Sequence, residues 1–251
     1  MRSFFCPDIP APGREARLDG EEARHALRVL RLQEGEWLRL IDGKGNRASA
    51  QILGAAGRNR HSTLTCRILD RQSWLPPQRP LHLLIAPPRA KFMAQIIQIA
   101  VELGAGRLTP ILCEHSVARP EADAGSAHWQ AEAVAASKQS GNPILPIFDP
   151  PRPFALALTA VATPGFYGAL PDPAQAAATA TPALPAGQGI IPVWIGPEGG
   201  FSPAEQAALA AAGHRPLALG SWTLRVETAA AAIIGYLVGM GGDDLCCHQH
   251  A

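Results

Sequence analysis

Two glycine-bearing loops and one charged loop, all between residues 190 and 239, carry the residues whose types and spacing suit chemistry. The first loop, Gly196-Pro197-Glu198-Gly199-Gly200, ends an apolar, β-branched run of strand length at 190–195. Adjacent glycines permit positive φ and let a ligand come close to the backbone. Ser202, Pro203 and Glu205 follow at the N-cap, first and third positions of a capping box, so a helix is predicted directly behind the loop. A second strand-like piece at 217–219 ends at Gly220, and Arg225-Val226-Glu227-Thr228 then leads into a long apolar helix. Two strands thus bring glycine loops to one sheet edge, beside a guanidinium and carboxylates, and in an open α/β sheet that edge is where ligands sit. Such an edge suits ligand capture by backbone amides and carbonyls next to fixed charges. Each glycine taken singly also suits a plain strand end, and a Glu at a helix start stabilises the helix dipole with no further role.

The elements that must position these loops are predicted from the pattern downstream of residue 80. Strands at 81–86, 108–112, 144–148 and 165–170 alternate with helices at 91–103, 128–139 and 154–161. Alternation of this kind means a mostly parallel sheet covered on both faces. Residues 171–188 are rich in Ala, Pro and Thr and read as a surface excursion. No internal repeat is present.

Residues 1–73 read differently, as a small β-rich module. Strands at 37–41, 48–53 and 64–69 surround a hairpin turn, Asp42-Gly43-Lys44-Gly45-Asn46. A helix is predicted over 23–32, with Arg24, Arg28 and Arg31 at helical spacing and His25 beside them. Such a face either positions phosphate oxygens or is a solvated face paired with Glu21, Glu22 and Glu34. The proline-rich segment 74–80 marks a linker, and residues 81–251 form the second domain.

Composition narrows the class. Hydrophobic residues make up 47% of the 251 positions and charged residues 17%, the balance of a globular chain with enough length for a sizeable core. The longest apolar runs fall short of the roughly 20 residues a membrane helix needs. The N-terminus shows no secretory pattern, so cytoplasmic residence is expected. Five cysteines without framework spacing imply reduced thiols. Cys246-Cys247-His248-Gln249-His250 fits a structural zinc site poorly and reads as a frayed tail, so no metal is expected. The net charge of +1 hides an asymmetry: 13 basic against 9 acidic residues up to Ser73, a balance of +4, and 9 against 12 beyond it, a balance of −3.

These motifs also carry a family resemblance. Residues 196–202 (GPEGGFS), then Leu219-Gly220, then Leu224-Arg225 and Glu227-Thr228-Ala229, resemble the bacterial methyltransferases that modify N3 of a uridine in 16S ribosomal RNA. That family belongs to the knotted SPOUT superfamily, whose members bind S-adenosylmethionine. His25 to Arg31 (HALRVLR) and Asp42 to Gly45 (DGKG) are similar to the PUA-like RNA-binding barrel that precedes the catalytic domain in the family. Glu102-Leu103-Gly104 and Gln139-Ser140 also match. Gln98, His115, Gly141-Asn142-Pro143 and Trp222-Thr223 depart from the family pattern, several of them at basic positions.

The resemblance implies a trefoil-knotted parallel sheet and a cofactor site for S-adenosylmethionine. That site is lined by Leu170, Gly196, Gly199, Gly200, Leu219, Gly220, Leu224, Thr228 and Ala229. It further implies an RNA face at Arg24, His25, Arg28 and Arg31, a partner in 16S ribosomal RNA or the small subunit, and a homodimer packed through the helix at 228–239. Uridine N3 carries a proton at neutral pH, so the site must remove it or stabilise the anion left on O2 and O4. Arg225 is the candidate donor for that anion, with Glu227 and Glu198 as candidate bases or arginine-orienting partners. Two other readings are weighed against this one. A phosphate site at the same helix start lacks a nearby lysine and any GxxxxGK[ST] or GxGxxG motif. A non-catalytic RNA-binding or ribosome-assembly factor that keeps the fold is compatible with the missing basic positions.

Overall fold

The computed structural model describes residues 1–57, 61–117, 126–170, 183–187, 189–245 and 247–249. The chain divides into two compact units: Met1–Leu75 with Val134–Leu145 and His248–Ala251, and Pro76–Ala133 with Pro146–Cys247. The surface excursion expected at 171–188 lies outside the described residues except for 183–187, as does Cys246.

The first unit is built from period-2 burial. Strands β1 (Ser3–Phe5), β2 (Glu15–Asp19), β3 (Trp37–Ile41), β4 (Asn46–Ala56) and β5 (Thr63–Leu75) turn alternate side chains inward. Phe4, Leu18, Leu38, Leu40, Ala50, Ile52, Leu64 and Ile68 form the buried core. β1 runs parallel to β3, while β3–β4, β4–β5 and β2–β5 are antiparallel. Register shifts at Ser49/Ala50 and Ile52/Gly54 bend β4 in the manner of bulges. The predicted hairpin is present, and Asp42 organises it: its buried carboxylate accepts from the Lys44 and Asn46 amides at 2.7 and 2.9 Å. Gly45 has φ +104°, and a Cβ there would run into the Trp74 carbonyl oxygen.

Three expectations for this unit need correction. The helix predicted over 23–32 is a five-residue helix α1 (Gly20–Arg24) that widens into a π-helical turn (His25–Val29). Its N-cap Asp19 gives the helix no side-chain bond, because its carboxylate is engaged by Arg17 and Thr63. Strand β5 continues through Trp74 and Leu75, the first two residues of the expected linker. The Trp74 amide donates to Gly45 at 2.7 Å, and the Arg47 guanidinium sits 4.2 Å over the indole. Within the expected frayed tail, His248 and Gln249 are instead paired, antiparallel with Leu75 and Trp74.

The second unit follows the predicted alternation. In chain order it contains β6 (Leu81–Ile85), α2 (Ala90–Glu102), β7 (Arg107–Leu112), α3 (Ser126–Ser140, whose second half groups with the first unit), β8 (Ile147–Phe148) and β9 (Arg152–Pro153). It continues with α4 (Phe154–Ala160), β10 (Phe166–Gly168), β11 (Ile191–Ile195), α5 (Pro203–Ala211), β12 (Arg215–Leu217) and α6 (Val226–Gly241), and the chain closes with β13 (His248–Gln249) in the first unit. The sheet order is β12-β10-β11-β6-β7-β8, with β9 on the far end of β7, and every pairing among the described residues is parallel. The central strands β6 and β11 are buried at all five positions, as a sheet covered on both faces requires. The last strand lies two residues earlier than predicted, because Phe166 pairs with Arg215 and the Arg215 amide donates to Gly165.

Where these strands begin, four polar side chains satisfy one another. Arg107 donates twice to Asp149, at 2.7 Å each, Thr109 donates to the same carboxylate, and His82 Nε2 lies 2.6 Å from the Thr109 hydroxyl. Because the threonine proton goes to Asp149, His82 must be the donor in its bond, and it is neutral. Burial, reinforced by Arg107, pushes the His82 pKa down to about 4. Burial opposes ionisation of Asp149, but the Arg107 and Thr109 hydrogen bonds outweigh it and hold the carboxyl below its usual range.

Candidate functional site

The opposite edge, at the carboxyl ends of the parallel strands, gathers the loops singled out in the sequence. β11 runs into the glycine loop, and the Gly200 amide donates to Pro197 at 2.8 Å, closing it as a turn. Of the two adjacent glycines only Gly200 uses positive φ, at +74°. Gly196 is required for a different reason: a Cβ there would come within 3.1 Å of the Phe201 amide nitrogen.

Behind the loop, α5 starts with the predicted capping box. Ser202 accepts from the Glu205 amide and Glu205 Oε2 accepts from the Ser202 amide. The structure adds a third bond that the motif does not announce. Glu205 Oε1 accepts from the Glu114 amide at 2.9 Å, 91 residues away in sequence, so one buried carboxylate ties the loop after β7 to the start of α5. Alongside it, His115 Nδ1 donates to the Gly200 carbonyl at 3.2 Å, and a Cβ on Gly199 would meet the His115 side chain at 3.3 Å. Cys113, on the same loop, is no nucleophile at neutral pH, since burial pushes its thiol up to about 12.

Two adjoining clefts open at this edge. The first is lined by the ends of β10, β11 and β12 and the start of α6, including Leu170, Gly196, Gly200, Leu219, Leu224 and Ala229 of the predicted cofactor residues. Gly199, Gly220 and Thr228 are not among its lining residues. Gly199 packs on His115, Gly220 has φ +81° within the loop after β12, and Thr228 is exposed in the first turn of α6. The lining is largely backbone and apolar side chains, which fits an uncharged ring system held by main-chain groups.

The second cleft brings together all three residues predicted to act on the substrate. Glu198, Arg225 and Glu227 line it with Pro87, Arg89, Phe92 and Val117, and it shares Glu198 and Val226 with the first cleft. Arg225 is exposed at the N-cap of α6, whereas Glu227 is buried, with 9% of its surface exposed. Neither side chain makes a hydrogen bond or ion pair among the described residues. Arg89, on the loop after β6, adds a second cation that sequence reasoning missed. Its signal was available, as it follows a strand that ends at this edge.

The predicted RNA face stands on the first unit. Arg24, His25, Arg28 and Arg31 are all exposed. They do not form a single helical stripe, because the π turn separates Arg24 from Arg28, and Arg31 lies beyond it with φ +54°. Of the paired-face alternative, only the Arg24–Glu21 contact at 3.4 Å is present among the described residues, while Glu22 binds Lys138 at 2.6 Å.

Comparison with known proteins draws on both units. Residues 76–238 match an RNA methyltransferase domain, and residues 18–60 match an RNA methyltransferase PUA domain. Ribosomal RNA small subunit methyltransferase E of Mycobacterium bovis is 32% identical over 237 residues, spanning 92% of this chain and 89% of that protein. The chain belongs to this methyltransferase E family. The family's representative in Synechocystis is 31% identical over 214 residues, which cover 83% of this chain and 67% of that protein. Among solved structures, a family member from Neisseria gonorrhoeae bound to S-adenosyl methionine superposes with a TM-score of 0.80 at 26% identity, covering 95% of this chain and 97% of that one. A Legionella pneumophila methyltransferase in complex with the cofactor SAM gives 0.80 at 25% identity, over 94% and 96%. The fold expected from the sequence, a parallel α/β sheet with a PUA-like N-terminal module, is the fold of the family.

Within the described residues no group of three or more His, Cys, Asp or Glu side chains could hold a metal ion, and no helix is long and apolar enough to cross a membrane.

Proposed function

We propose that the protein transfers a methyl group from S-adenosylmethionine to N3 of a uridine in 16S ribosomal RNA, acting in the cytoplasm as a homodimer. The observation that carries this reading is the adjacency of the two clefts. Cofactor-lining loops and the unpaired Arg225 and Glu227 meet at one sheet edge and share Glu198 and Val226. Bound S-adenosylmethionine supplies an activated methyl group on a sulfonium, so the protein's task is orientation. Backbone groups of residues 196–200 and the side chains of Leu170, Leu219 and Leu224 hold the cofactor in the first cleft.

In the second cleft Arg225 faces the developing negative charge on uridine O2 or O4, a permanent cation with no competing carboxylate partner among the described residues. Glu227 or Glu198 accepts the N3 proton. The uridine must be unpaired or extruded to reach them, and Arg24, His25, Arg28 and Arg31 hold flanking phosphates. The half-buried alanines of α6 form the dimer contact, and the trefoil knot of the SPOUT superfamily belongs to the same reading.

Calorimetric titration with S-adenosylmethionine, paired with transfer of labelled methyl to unmodified 16S ribosomal RNA, tests it. Wild-type protein binds cofactor and methylates the RNA at uridine N3. Gly200→Val, which forces a branched side chain into φ +74°, abolishes cofactor binding. Folded wild-type protein that binds no cofactor would refute the reading.

A further inference from the structure

An exposed tryptophan at the mouth of the first cleft is left unexplained by cofactor binding. Trp222 is 82% exposed, the largest value among the exposed large hydrophobic side chains apart from Val117. It lines the cleft from the loop between β12 and α6, three residues before Arg225. Leu170 and Leu224, 57% and 36% exposed, line the same cleft. An indole turned to water on a loop exposed from Gly220 to Arg225 gains nothing for the fold. Its ring offers instead a broad, rigid π surface at the entrance to the site.

Next to this surface lie two cations, Arg225 and Arg89, in the adjoining cleft. Neither has an ion-pair partner among the described residues. Aromatic faces flanked by unpaired cations are the chemistry that holds unpaired nucleic acid, the bases stacking and the phosphates meeting the charges. A peptide or a second copy of the chain would need no such cations.

We infer that Trp222 is a substrate-positioning residue, a platform on which an unpaired base of the RNA substrate stacks at the mouth of the cofactor cleft. This rests on the methyltransferase reading above. Stacking offsets part of the cost of taking the base out of its helix, and it does so independently of sequence because every base has a π face.

The test uses full-length wild type, Trp222→Phe and Trp222→Ala, with folding checked by thermal melting. Affinity for unmodified 16S ribosomal RNA is measured by filter binding, cofactor affinity by calorimetry and association state by light scattering. Trp222→Ala is expected to weaken RNA binding about ten-fold, within the range that loss of one stacked base produces, and to raise KM for RNA more than it lowers kcat. Trp222→Phe recovers most of that loss. Cofactor affinity stays within two-fold, and the salt dependence of RNA binding keeps its slope, since no phosphate contact is removed. Unchanged RNA affinity in Trp222→Ala would overturn the inference, as would a loss confined to cofactor binding or a change in association state. If wild type binds RNA but no S-adenosylmethionine, the methyltransferase reading fails while the RNA-affinity comparison still decides the role of Trp222.

Discussion

The two edges of the parallel sheet are built on opposite principles. At the amino ends of β6 and β7, His82, Thr109, Asp149 and Arg107 close a network in which each polar group answers another. At the carboxyl ends, Arg225, Glu227, Glu198 and Arg89 line a cleft without hydrogen-bond or ion-pair partners among the described residues, and Trp222 stands in solvent. Both edges are rich in charge, so charge alone does not mark the active one. What separates them is satisfaction. A closed network stabilises its own fold, whereas a buried carboxylate such as Glu227, with no answering donor among the described residues, carries a desolvation cost that a ligand can relieve.

This contrast can be broken most sharply at Arg225. Arg225→Ala should lower kcat for methyl transfer about 10²- to 10³-fold, the effect of losing one preorganised anion donor. Its free energy of unfolding in urea should stay within about 0.5 kcal/mol of wild type, because the side chain makes no hydrogen bond or ion pair among the described residues. A large stability loss would place Arg225 on the structural side of the comparison. At the other edge the result inverts. Asp149→Ala strands Arg107 and Thr109 and should cost about 3 kcal/mol in urea unfolding, with cofactor affinity retained wherever the protein remains folded.

Acid sharpens the same distinction. The pKa of buried His82 is pushed down to about 4, and that of buried His214, whose ring nitrogens have no hydrogen-bond partner among the described residues, falls to about 4 as well. Between about pH 6.5 and 4 the unfolded chain binds protons that the folded chain refuses. Stability is therefore full above about 6.5 and falls as pH drops toward 4. Melting followed across that window should show the decline. His214→Phe, which keeps the edge-on contact with Trp194 at 5.3 Å, should flatten part of it. A curve unaffected by the substitution would exclude His214 as a source. The smallest effect is expected at Glu205→Gln, which leaves one carbonyl oxygen to serve the Ser202 and Glu114 amides. A loss of about 1 kcal/mol by denaturant unfolding is the expected outcome, with cofactor affinity reduced a few-fold through the loosened loop.

Local rules made much of this legible beforehand. The capping box at Ser202 and Glu205, the hairpin at Asp42 to Gly45 and the strand–helix alternation each depend on neighbours a few residues apart, and each appears as read. Long-range partners escaped. Nothing near Glu205 announces the Glu114 amide, and His82, Arg107 and Asp149 share no spacing that marks them as one network. The helix over 23–32 departs from the pattern for a related reason: its apolar positions are real, but periodicity does not mark the point at Arg24 where the α-helix widens into a π turn. The loops of the site were visible as motifs, whereas Arg89 was visible only as a residue at the right strand end.

The pairing of β13 with β5 has a consequence for how the protein is made. The first unit draws on Met1–Leu75, on Val134–Leu145 and on strand residues at 248–249. A ribosome releases those pieces in order, so the N-terminal unit, though synthesised first, receives its final strand last. A fragment ending at Leu75 would lack two of the segments that complete its own unit. The N-terminal module is thus contiguous at its start and discontinuous at its finish, and its last β pairing waits on almost the whole chain.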